Sequence, residues 1–149
     1  MTTVADILRS KSSDAIHSVS PSDTMLTAIQ RMAEKGIGAL IVLEGGNIAG
    51  IVTERDYARK IALQGKSSTT TTVGEVMTRK VHCVEPRQTS EECMSLMTTN
   101  RIRHLPVVDG DYRLLGMISI GDIVKEIISA QQFTIQQLEH YIAGTSPMA

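Results

Sequence analysis

The segment GIVTERDYARK, residues 50–60, is echoed by GMISIGDIVKE, residues 116–126. In both, a glycine leads into two apolar residues, a hydroxyl residue (Thr53, Ser119), two variable residues and an aspartate (Asp56, Asp122). A hydroxyl followed three residues later by an acid is the pattern of a helix start. The hydroxyl accepts from an open first-turn amide and the acid reaches back to the cap, where the positive end of the helix dipole also favours it. Taken alone, either segment is a strand that turns into a helix.

Outward from this pair the two halves of the chain stay in register. Val19 and Pro21 match Val84 and Pro86, Met32 matches Met97, Leu40 and Val42 match Leu105 and Val107, and Gly45 matches Gly110. Only a small shift before the first strand and one insertion in a turn interrupt the match. This is a duplication, and a repeat changes what each local motif means.

Each copy has the same order of elements. A short strand (IHSV, 16–19; VHCV, 81–84) ends at a Pro turn. A helix capped by Thr24 or Thr89 follows, with Met25, Ala28, Ile29 and Met32 at helical spacing in the first copy. Two apolar strands come next, joined by turns rich in Gly, Asn and Asp, and then a second helix begins at Thr53 or Ser119. The fold class is α+β, two tandem strand-helix-strand-strand-helix repeats. We place the first repeat at residues 1–65, a polar linker at 66–72, the second repeat at 73–130 and a C-terminal helix and tail at 131–149. FTIQQLEHYIAG (133–144) is predicted to extend or follow the second copy's helix and bury an apolar side against a second subunit, while TSPMA (145–149) reads as a frayed tail.

Composition narrows the function. With no Trp, one Phe and three Tyr, the chain lacks the aromatics that stack single-stranded nucleic acid. A net charge of -1 with dispersed basic residues argues against duplex DNA or anionic membrane as partner. The N-terminus lacks a basic start and a long apolar core, and no run approaches about 18 apolar residues, so a cytoplasmic location is expected. Cys83 and Cys93 have no metal-ligand spacing. Cys93 falls on the apolar face of its helix as a small buried hydrophobe, and neither a disulfide nor a metal site is expected.

The repeated pattern, with GALIVLEGGNIAGIVTERD in the first copy and LPVVDGDYRLLGMIS before Ile-Gly-Asp122 in the second, resembles a tandem pair of cystathionine-β-synthase (CBS) domains, the Bateman module. The likeness covers residues 4–128 and is to the free-standing bacterial type. It implies a three-stranded sheet with helices on one side in each repeat, and sheet-to-sheet packing about a pseudo-twofold axis that leaves two clefts. It further implies a homodimer, and adenine nucleotides (AMP, ADP, ATP, sometimes NAD(H) or S-adenosyl compounds) as ligands. By the same resemblance Asp56 and Asp122 would bind the ribose diol, with Thr53 and Ser119 beside the sugar and phosphate.

A carboxylate accepting from two vicinal hydroxyls suits that role. Phosphate needs a separate basic partner, because like charges repel in a partly dry cleft. Arg103 and His104 are candidates in the second copy, where the first has Gly38 and Ala39; Arg55 is the candidate in the first, where the second has Gly121. The clefts are therefore expected to be unequal. His17 and His82, at matching positions on the first strand, suggest packing. No GxSxG, Walker A or GxGxxG motif occurs, so the expectation is a non-enzymatic nucleotide sensor that acts on an unknown protein partner. The rival is a structural or interaction module with vestigial clefts.

Overall fold

The computed structural model describes residues 1–11 and 16–144; the expected tail, 145–149, lies outside them. The elements run α1 (Val4–Ser10), β1 (Ser18–Val19), α2 (Met25–Lys35), β2 (Ala39–Glu44), β3 (Asn47–Thr53), α3 (Glu54–Tyr57) continuing into a π-helical turn (Ala58–Ala62), α4 (Val73–Val76), α5 (Ser90–Asn100), β4 (His104–Val108), β5 (Leu114–Ser119) and α6 (Ile120–Ile142). The first sheet has the order β1-β2-β3, with β1 parallel and β3 antiparallel to β2. In the second, β4 and β5 pair antiparallel.

The first strand of each copy is shorter than predicted. IHSV contributes only Ser18 and Val19, and VHCV only a parallel bridge from Val84 to Val107. Around that bridge Val84 N–H donates to the Pro106 carbonyl and Val108 N–H to the Val84 carbonyl, both at 2.9 Å. The next bond of a parallel ladder would run from residue 106 back toward His82. Pro106 has no N–H to give, so the second copy's sheet keeps two full strands.

The β2–β3 hairpin turns on Gly45 and Gly46, both with positive φ (60° and 84°), as a two-residue primed turn requires. The longer turn of the second copy is held by the Asp109 carboxylate, whose Oδ1 accepts from the amides of Asp111 and Arg113 at 2.9 Å. Beyond the turns, the register irregularity falls at matching places, Val42/Leu43 and Val107/Val108.

The unit of sequence repetition is not the unit of packing. Buried Val4 and Ile7 of α1 join the second copy's core of Val84, Cys93, Met97, Leu105, Ile118 and Ile123. Reciprocally, Val73, Val76 and Met77 at α4 join the first copy's core of Val19, Met25, Met32, Leu40, Val42 and Val52. The hydrogen bonds that hold this exchange come in matched pairs: Val4 N–H to Gln88 O and Val73 N–H to Asp23 O, both 2.8 Å; Ser90 N–H to Thr2 O and Met25 N–H to Thr71 O, both 2.9 Å. Each contact is made twice, as a twofold relation between the copies demands.

The polar stretch before α4 also does structural duty. Thr71 is buried, and the carbonyls of Thr71 and Ser68 accept from the amides of Met25 and Leu26, two of the donors a helix start leaves open. Cys93 stands in the second core where Ala28 stands in the first; burial, with Glu92 adding to it, pushes its thiol up to about 11. Both cysteines are free thiols.

Candidate functional site

Thr53 and Ser119 sit at the corner where the last strand of each copy turns into a helix. Both corners carry the full capping box. Asp56 N–H donates to Thr53 Oγ1 at 3.1 Å and Thr53 N–H to Asp56 Oδ2 at 2.9 Å; the matching distances at Ser119 and Asp122 are 3.2 and 2.8 Å. The same box closes α1 (Thr3, Asp6) and α4 (Thr72, Glu75), so capping alone singles out neither aspartate. Their surroundings do.

Two clefts open between the copies. The first, of about 420 Å³, is walled by the β3–α3 corner on one side and the entry to β4 on the other, and it brings together Thr53, Arg55, Asp56, Arg103 and His104. The second, of about 400 Å³, holds Ser119 and Asp122, opposite Gly38 and Ala39. Gly38 and His104 line both. All seven residues singled out in the sequence thus lie on cleft walls. Their grouping differs from a copy-by-copy reading: Arg55 and Arg103, from different copies, share the first cleft, because each cleft is built from one corner of one copy and one strand entry of the other.

Four further basic residues complete the clefts: Lys80 and His82 in the first, Lys11 and His17 in the second. The two histidines, expected to pack, are half-buried and each lines a cleft. A signal for the lysines was available, since Lys11 and Lys80 each lie eight residues beyond a matching Thr cap, Thr3 and Thr72. Each lysine follows a short helix, α1 or α4, that the repeat alone assigns to its own copy.

The charges are unequal. Arg55, Lys80 and Arg103 stand against Glu54 and Asp56 in the first cleft, whereas Lys11 alone stands against Asp122 in the second. Lys11 is also engaged, with Nζ 3.1 Å from Asp122 Oδ2 and 2.6 Å from the Met117 carbonyl. Asp56 Oδ1 meets Lys60 Nζ at 3.0 Å across the π-helical turn, and that lysine also donates to the Val76 carbonyl at 2.8 Å. Arg55 spans the copies by donating to the Arg101 carbonyl at 2.8 Å, at the end of α5, where a cation is favoured.

A CBS domain model matches residues 3–63 and 73–129. The chain belongs to the CBS-domain family. CBSX3 of Arabidopsis thaliana, a CBS domain-containing protein named as mitochondrial, is 42% identical over 151 residues, covering 96% of this chain and 73% of its own. A solved protein with CBS domains from Burkholderia ambifaria is 60% identical, with a TM-score of 0.84, over 90% of this chain and 99% of that one. CBSX2 solved in complex with AMP is 28% identical, with a TM-score of 0.72, over 88% of this chain and 99% of that one. A homologous CBS pair therefore binds AMP.

At the wall shared by the two clefts of this CBS pair, burial holds the His104 imidazole below its ordinary 6.5; Arg103, Lys11 and Arg55 push the same way and Asp122 opposes. Below about pH 6.5 the folded protein thus binds fewer protons at His104 than the unfolded chain does, and stability falls as pH falls through that value. The urea midpoint should drop between about pH 7.5 and pH 5.5, and the drop should be shallower in His104→Gln, which cannot titrate. Equal slopes would remove His104 as the cause.

Among the described residues, no helix is long and apolar enough to cross a membrane, and no group of three or more His, Cys, Asp or Glu could hold a metal ion.

Proposed function

We propose that this CBS pair is a cytoplasmic, non-catalytic sensor of adenine nucleotides that works as a homodimer and reports occupancy to a protein partner. The observation that carries the proposal is the meeting of Arg55 and Arg103, one from each copy, in the cleft that also holds Asp56. The aspartate's Oδ2 serves the cap, so Oδ1, now on Lys60, is the atom that would take a ribose hydroxyl. Arg55, Arg103 and Lys80 would take the phosphate, and the apolar strand ends the base. The excess of cations suits the first cleft to AMP, ADP, ATP or NAD(H). The second cleft offers one lysine already engaged by Asp122, and binds nucleotide phosphate more weakly.

A ligand that touches residues of both copies stabilises the arrangement that holds them together. It shifts a conformational equilibrium only by its difference in affinity between the two states.

Calorimetric titration of AMP, ATP, NAD+ and NADH tests the proposal. Wild-type protein verified free of carried-over ligand should bind at least one of them at micromolar concentration. Asp56→Ala should weaken the tighter site by about 10- to 100-fold, the scale of a lost charge-assisted hydrogen bond, and Asp122→Ala the weaker one. Because each change also removes a helix cap, at a cost of about 1 kcal/mol, the variants are compared below their melting range. No heat with any nucleotide would sink the sensor and leave the interaction module standing.

A further inference from the structure

The CBS repeat does not account for the end of α6. With Asp56 matching Asp122, the end of the first copy's helical run at Ala62 corresponds to Ile128, yet α6 runs on through residues 129–142. The family match stops at residue 129. At about 1.5 Å per residue, this extension projects roughly 20 Å. Every residue from Ile128 to Ile142 is exposed except Gln137, which is partly covered. A helix of this length is marginal in water without a packed face.

Its apolar residues are ordered. Val124, Ile128, Ile135, Leu138 and Ile142 are 45% to 83% exposed, and with Gln131 they recur at spacings of four, three, four, three and four. That is a repeat of 3.5, the period that keeps one stripe facing a supercoiled partner helix. Ile128, Ile135 and Ile142 fall at one seam position, and Val124, Gln131 and Leu138 at the other; isoleucine throughout the first position, with Leu138 at the second, suits a two-stranded assembly. Phe133 lies off the seam and Tyr141 flanks it.

We infer that residues 124–142 form a parallel, in-register two-stranded coiled coil with the same helix of a second copy. Gln131 selects the orientation. In register it faces its own copy, and two side-chain amides can bond one another. In the antiparallel arrangement that also aligns the stripe, Gln131 faces Ile135 and its amide is left unpaired, at a cost of about 1–3 kcal/mol. Two such faces bury on the order of 1,000 Å², the lower bound for a specific interface. The inference supplies the face for the homodimer proposed above. It is read by mass and not by heat of binding, so it fails separately from the nucleotide reading.

Sedimentation equilibrium of the full chain should return the mass of two chains, and of one chain for the double variant Ile135→Lys, Leu138→Lys. Both side chains are solvent-exposed in the single chain, so circular dichroism should show the globular repeats intact. With Cys83→Ser as background, Gln131→Cys should cross-link on mild oxidation. A wild-type mass of one chain, or a double variant that stays paired, overturns the seam. A paired Gln131→Cys variant that does not cross-link overturns the parallel register.

Discussion

Replacing Arg55 and Arg103 together with alanine should weaken AMP binding about a hundredfold, while adenosine binding moves by less than about threefold. The two guanidinium groups enter one cleft from opposite copies, and the phosphate they would hold is absent from adenosine. A hydrogen bond to a charged group contributes about 1.5–3 kcal/mol. Two in a solvent-open cleft are discounted for screening, which leaves about 3 kcal/mol for the pair. Calorimetry with both ligands separates phosphate recognition from the secondary loss of the Arg55 bond to the Arg101 carbonyl. Equal weakening of AMP and adenosine would mean that the arginines act through the fold. Unchanged AMP affinity would place the phosphate elsewhere.

Ile7→Ala should cost about 3 kcal/mol of stability, and the damage should appear in the half of the chain to which Ile7 does not belong by sequence. The side chain is fully buried in the core of the second copy, and cutting a buried isoleucine to alanine costs 2–5 kcal/mol, roughly, through lost transfer free energy and the cavity left behind. Hydrogen exchange should therefore quicken in β4 and β5 before it quickens in β2 and β3. Faster exchange confined to β2 and β3 would contradict the reciprocal packing of α1 and α4.

Much of this protein was legible locally. The cap at Thr53 and its copy at Ser119 follow from residue types at fixed spacing, because a hydroxyl and a carboxylate within one helical turn satisfy amides that have no other partner. The hairpins follow from Gly45-Gly46 and from Asp109. The first strands were less legible. IHSV and VHCV are both apolar enough for a strand, but the length of a ladder depends on the donors of the neighbouring strand, and Pro106 withholds one.

By itself, the sequence determined the two repeats and the order of their elements, since each depends on spacing within a few turns or on the likeness of one half to the other, and through the family resemblance it pointed to seven of the residues that line the clefts. Only the tertiary structure decided which residues meet. α1 and α4 cross into the opposite cores because a short helix must bury its apolar side on whatever face the twofold relation presents. The packing of one copy on the other brings Arg55 and Arg103 to one cleft, and the crossing delivers Lys11 and Lys80 to the cleft walls. Contacts between residues about fifty apart or more follow from packing, and no local pattern records them.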